Sequence, residues 1–123
     1  LLAEDNDLNA EIAIALLEEQ GMMVTRTAAG KSALAQFCNT APGTFDLILM
    51  DIMMPEMNGY ETTKAIRNLP DRPDGKGIPV IAMTANAFAE DVQAALNAGM
   101  DDHVAKPVDM EILISVITKY IER

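Results

Sequence analysis

At 123 residues the chain has room for one domain with a real core and not for two. Half of the residues are hydrophobic, but no apolar run approaches the roughly 20 residues that span a bilayer, so a soluble globular domain without direct membrane contact is expected. A formal net charge of −10 argues against direct nucleic-acid binding, which needs basic surface to neutralise phosphates.

Leu1 to Ala3 reads as the first strand, and since Leu1 already has mid-strand character the strand is expected to be clipped at the N-terminus of a single domain over 1–123. The first helix starts near Asn6 or Asp7, either of which can cap it, and stops at Gly21. Met22 to Thr27 predicts the second strand, and Lys31 to about Asn39 the second helix, after the Gly30 turn. The single cysteine, Cys38, lies in that helix as a small hydrophobe that cannot close an internal disulfide, which fits a reducing, cytoplasmic setting. Phe45 to Met50 is the third strand, and Tyr60 to Asn68 the third helix, entered through the Pro55–Gly59 turn. A polar loop follows from Pro70 to Gly77, then a strand at Ile78 to Met83, a helix from about Ala87 to Ala98, a strand at His103 to Ala105 and a last helix from Asp109. Five strands alternate with helices, and runs such as Ile48-Leu49-Met50 show little polar alternation, so the sheet is expected to be parallel and covered on both faces. The expected fold is a three-layer α/β sandwich with flavodoxin-like strand order 2-1-3-4-5.

In such a sheet the carboxyl ends of the strands line one crevice, so Glu4-Asp5, Asp51, Thr84 and Lys106 should converge there. Three carboxylates together resist common ionisation unless a cation offsets them. All-oxygen ligation suits Mg²⁺ or Mn²⁺, whereas zinc would want His or Cys, and this chain has one of each in unrelated elements. Glu4 and Asp5 have a blander explanation as acids before a helix N-terminus, and Asp51 one as a strand-end Asp before a turn. A carboxylate beside a metal can also act as a nucleophile toward a phosphoryl donor, with a hydroxyl and an ammonium binding the transferring oxygens.

The stretches Leu2-Ala3-Glu4-Asp5-Asn6, Leu49 to Gly59, Ala82-Met83-Thr84-Ala85 and Ala105-Lys106-Pro107 together resemble the receiver domain of two-component response regulators, over essentially the whole chain. The resemblance implies that Asp51 is the phosphoacceptor and that Mg²⁺ is held by Asp5, Asp51 and the backbone carbonyl of Met53, with Glu4 acting through water. It implies that Thr84, Lys106 and the Ala85 amide contact the phosphoryl group, and that the Lys106-Pro107 bond is cis. It places Met53 and Asn86 where they shade the acyl phosphate from water. Formal charges then balance: three carboxylates against one Mg²⁺ and one ammonium. The family couples the Thr84 hydroxyl to an aromatic residue on the last strand; here that position holds His103, a departure that puts the usual switch in doubt.

The first helix carries two apolar stripes, Leu8, Ile12, Ala15 and Leu16 against Ala10, Ala13, Ile14 and Leu17, although one core needs only one. The extra stripe predicts a docking patch of Leu8, Ile12, Pro107 and Val108 for a histidine kinase or histidine-phosphotransfer domain, the donor that receiver domains meet in this region. Among nine methionines, Met50 and Met83 are expected in the core and Met53, Met54 and Met57 at an interface. The last helix has a broad stripe of Ile112, Leu113, Val116, Ile117, Tyr120 and Ile121, which serves the core and leaves a homodimer surface open.

The segment from Thr84 to His103 is most similar to receivers of hybrid sensor histidine kinases, which implies a cytoplasmic part of a membrane-anchored kinase. Two alternatives stand beside it: a response regulator whose output domain was removed, and an aspartate-based Mg²⁺ phosphatase of the haloacid-dehalogenase type. The latter usually carries a second Asp two positions after its nucleophile, where Met53 stands here.

Overall fold

The structure, a computed structural model, describes residues 1–84, 89–106 and 109–121. The elements in chain order are β1 (Leu2–Ala3), α1 (Asp7–Glu19), β2 (Arg26–Thr27), α2 (Gly30–Cys38), β3 (Ile48–Asp51), α3 (Gly59–Arg67), α4 (Asp74–Gly77), β4 (Val80–Thr84), α5 (Ala89–Ala98), β5 (Asp102–Ala105) and α6 (Met110–Ile121). The five strands form one parallel sheet in the expected flavodoxin-like order β2-β1-β3-β4-β5, one of the few that right-handed crossovers and a switch point leave open.

Strand side chains point alternately to the two faces, and the core is divided accordingly. Ala3, Ile48, Met50, Val80 and Ala82 pack with Phe37, Ile66 and Ala95, from α2, α3 and α5. Leu2, Leu49, Ile81, Met83 and Val104 pack on the other face with Ala10 and Leu17 of α1 and Leu113 and Ile117 of α6. The two stripes of α1 therefore separate. Ala10 and Leu17 are buried, while Leu8 and Ile12 remain 65% and 52% exposed. Among the described residues no helix is long and apolar enough to cross a membrane.

Helix starts follow side-chain chemistry. The Asn9 N–H donates to Asn6 Oδ1 at 2.9 Å, so Asn6 rather than Asp7 caps α1. Asn58 and Glu61 form a reciprocal capping box on α3. Gly59 follows that cap because a Cβ there would lie 2.4 Å from the carbonyl oxygen of Asp51, so the helix start is seated directly against the strand end.

Several expectations are corrected. β2 is two residues rather than Met22 to Thr27, since β1 offers only Leu2 and Ala3 to pair with Arg26 and Thr27. The Pro70–Gly77 loop contains the short helix α4, which four residues cannot announce by periodicity. Met54 is buried against the α2–α3 side, leaving Met53 as the exposed methionine beside the site, at 73%. Cys38, read as a small helix-borne hydrophobe, is exposed at the end of α2. In α6, Ile112 and Ile121 are exposed while Leu113 and Ile117 are buried. The start expected for the fourth long helix, at Ala87, lies outside the described residues.

Candidate functional site

β1, β3, β4 and β5 run parallel, so their carboxyl ends emerge at one edge of the sheet. The register pairs Ala3 with Met50, Asp51 with Met83 and Thr84 with Ala105, which brings Glu4, Asp51, Thr84 and Lys106 to neighbouring strand ends. The Lys106 N–H donates to the Thr84 carbonyl at 2.7 Å, fixing the last two side by side. The Glu4 N–H donates to the Thr27 carbonyl at 3.0 Å and holds the end of β1 in line.

Glu4 and Asp51 are almost wholly buried, at 3% and 2% exposure, whereas Asp5 is exposed. One carboxylate oxygen from each of the three lies within 4.8 Å of the others. Lys106 Nζ sits 3.1 Å from Glu4 Oε1 and 3.1 Å from Asp51 Oδ1, bridging the two buried acids. The Met53 N–H donates to Asp51 Oδ1 at 3.3 Å. Thr84 is buried at the end of β4.

Burial pushes the Asp51 carboxyl up to about 7, and the adjacent Glu4 adds to this while the Lys106 ammonium opposes it. For Glu4 burial acts in the same upward direction, but the neighbouring Asp51 and Lys106 outweigh it and hold the group below the ordinary carboxylate range. Lys106 is penalised by burial, yet the two carboxylates keep it above its usual value and firmly charged. The pair of acids thus carries one negative charge readily and a second reluctantly.

Glu4 Oε2 is buried and makes no hydrogen bond. A buried carboxylate oxygen without a partner, beside two more carboxylates, fits a cation that would satisfy it. The donor set is all oxygen, as a hard divalent ion requires.

His103 is half-buried on β5, opposite Ala82, and its Nδ1 lies 3.9 Å from Asp102 Oδ1. With Tyr60 and Thr84 it lines a small internal space. Of the expected site, the Ala85 amide, Asn86, the Lys106-Pro107 bond, Pro107 and Val108 lie outside the described residues. The pattern of strand ends missed Arg26, which reaches the Glu4 carbonyl from β2. A cation placed one strand away from two consecutive acids was the signal.

Residues 1–118 match the response regulator receiver domain family. The chain belongs to this family. It is 40% identical over 128 residues to the hybrid signal transduction histidine kinase I of Dictyostelium discoideum, covering 99% of this chain and 7% of that protein. Among solved structures, the receiver domain of the sensor histidine kinase PA1611 from Pseudomonas aeruginosa PAO1 is 35% identical with a TM-score of 0.87, covering 99% of this chain and 95% of that one; it holds a magnesium ion in its active-site cleft. The receiver domain of Ssk1 from Saccharomyces cerevisiae, co-crystallised with the histidine phosphotransfer protein Ypd1, is 26% identical with a TM-score of 0.84, covering 98% of this chain and 86% of that one. The receiver domain spans between 7% and 15% of the length of the curated relatives it matches. Phosphorelay signalling, in the manner of hybrid-kinase receivers, is thereby favoured over the haloacid-dehalogenase alternative.

Proposed function

We propose that this receiver takes a phosphoryl group from a phosphohistidine donor onto Asp51 and passes it, or the conformational signal, to a histidine-phosphotransfer protein. The observation that carries this is the buried Glu4–Asp51 pair bridged by Lys106 at 3.1 Å to each, with Thr84 at the adjacent strand end. An Asp51 oxygen attacks phosphorus, the P–N bond breaks, and the imidazole leaves with the bonding pair. Lys106 and the Thr84 hydroxyl bind oxygens of the transferring group, with the Ala85 amide as a third donor, and the Lys106 charge already lies beside Asp51 before transfer. Glu4, Asp5, Asp51 and the Met53 carbonyl would hold Mg²⁺, which when bound supplies the positive charge that lets acids and phosphate coexist.

Phosphorylation by acetyl phosphate, followed by intact mass, tests the metal requirement. Excess chelator is expected to reduce the rate by at least about a hundredfold, of the size seen when one electrostatic stabiliser is removed. An equal rate with and without chelator would contradict it.

Leu8 and Ile12, exposed on α1 near the site, form the described part of the donor-docking patch with Pro107 and Val108. Ile12→Asp is expected to slow transfer from a phosphorylated histidine-phosphotransfer domain by about tenfold, equivalent to about 1.4 kcal/mol. Transfer at the wild-type rate by a folded variant would remove Ile12 from the patch. His103 is the residue we assign to the conformational switch, following the Thr84 hydroxyl as it turns toward the phosphoryl group. In the parent protein the domain is the cytoplasmic receiver of a hybrid sensor histidine kinase, as the identity to such kinases supports. Kinase sequence upstream would support this reading, and a DNA-binding or catalytic domain downstream would instead support a response regulator with its own output domain.

A further inference from the structure

The turn between β1 and α1 delivers two of the three acids from consecutive positions, and consecutive side chains of an extended chain point to opposite sides. Glu4 and Asp5 reach one locus only because the backbone turns between them. β1 ends at Ala3, so the Glu4 carbonyl leaves the sheet ladder and needs another donor. Arg26 supplies it: Nε donates to Glu4 O at 3.1 Å and Nη2 at 2.7 Å. The third nitrogen of the same guanidinium, Nη1, lies 3.0 Å from Asp7 Oδ1, on the first residue of α1. One planar fork therefore grips the chain on both sides of Asp5 and Asn6. Asp5 itself has no hydrogen bond or ion pair among the described residues, so its placement depends on how that turn is held.

We propose that Arg26 is a positioning residue for the cation site: its guanidinium, bonded to the Glu4 carbonyl and paired with Asp7, fixes the turn that presents Asp5 and so sets metal affinity. The inference rests on the reading of Glu4, Asp5 and Asp51 as metal ligands. Asp7 is 85% exposed, so its ion pair contributes little as a charge interaction and acts by direction. A lysine offers a point charge without the fork and cannot hold both ends at once.

The sign of the effect separates positioning from simple electrostatics. A guanidinium beside a cation site repels the cation, so if charge alone mattered, removing Arg26 would tighten binding. Positioning requires the opposite.

The test is Mg²⁺ binding by calorimetry, without any phosphoryl donor, on the wild type, Arg26→Met and Arg26→Lys, alongside amide exchange of residues 5–7 in chelator. Arg26→Met is expected to raise the Kd about tenfold, as loss of an outer-shell partner does. Arg26→Lys should keep most of that loss despite retaining the charge, and exchange should quicken at 5–7 while the amides of β3 and β4 stay protected. A general loss of stability would instead expose β3 and β4 together with 5–7. An unchanged or lower Kd in Arg26→Met, or full recovery in Arg26→Lys, overturns the proposal. Absence of Mg²⁺ binding by the wild type overturns the reading of the site, and this inference with it.

Discussion

Asp51→Asn is expected to stabilise the metal-free protein at pH 8 and to do so markedly less at pH 5. The carboxyl of Asp51 sits at about 7 in the folded chain because it is buried next to Glu4, whereas in the unfolded chain it titrates near 4. Between those values the folded state binds a proton that the unfolded state does not, so stability falls as pH rises from about 4 to about 7 and then levels off. Glu4 has the opposite shift, and its contribution changes only at lower pH, in the acid range where both states take up protons. Asn removes the buried like charge while keeping the shape, and the gain at pH 8 should be on the order of 2 kcal/mol, a discounted share of a shift of this size. Denaturant unfolding of both proteins in chelator at the two pH values measures it. Mg²⁺ should lend the wild type at pH 8 stability that the variant gains less of. Equal stability differences at pH 5 and pH 8 would show that Asp51 is not held in its acid form by the fold.

The largest destabilisation is expected from Arg67→Met, far from the acids. The Arg67 guanidinium donates to the carbonyl of Gly99 through Nε at 2.9 Å and Nη2 at 2.7 Å, to Gly75 O at 3.0 Å and to Ile78 O at 2.6 Å. Its Nη2 also lies 3.0 Å from Asp101 Oδ2, which accepts the Val80 N–H at 2.9 Å. One side chain thereby joins the end of α3 to α4, the start of β4 and the turn into β5. Met fills much of the space but leaves three carbonyls without this donor and Asp101 without its countercharge, a loss of about 3–5 kcal/mol. The thermal midpoint should fall by on the order of 10–20 °C. Arg67→Lys should recover only part, because an ammonium cannot span the carbonyls of Gly75 and Gly99 together. A midpoint within a few degrees of wild type in Arg67→Met would contradict this account of the α3–β5 side.

These two residues also mark how far the sequence could be read. Asp51 was legible because an apolar run ending in an acid is a local signal, and parallel strands bring such ends together by topology alone. The same logic placed Glu4, Thr84 and Lys106 correctly at one edge of the sheet. The exposed stripe of Leu8 and Ile12 was visible as a helix with one apolar face too many. Arg67 was not legible, since its partners lie 8 to 34 residues away and no periodicity connects them. Arg26, 19 and 22 residues from its partners Asp7 and Glu4, offered only the weak signal of a cation one strand away from two acids. Met54 was assigned to a surface by its neighbours in sequence, but the backbone between Asp51 and Gly59 turns it inward, and the Met54 N–H donates to Ile52 O at 3.2 Å. The α4 helix escaped for a similar reason: it is held by packing, with Gly75 so close to Ile66 that a Cβ would stand 2.5 Å from its carbonyl oxygen.

The central claim is that Asp51 receives the phosphoryl group, and the most direct measurement is site localisation after treatment with acetyl phosphate and Mg²⁺. Borohydride reduces an acyl phosphate on aspartate to homoserine, and peptide mass spectrometry then reads the modified position. The account predicts homoserine at residue 51 of the wild type, none in excess chelator, and no phosphoryl adduct on Asp51→Asn. A phosphoryl group retained by Asp51→Asn, or homoserine at residue 4 or 5 in the wild type, would contradict it.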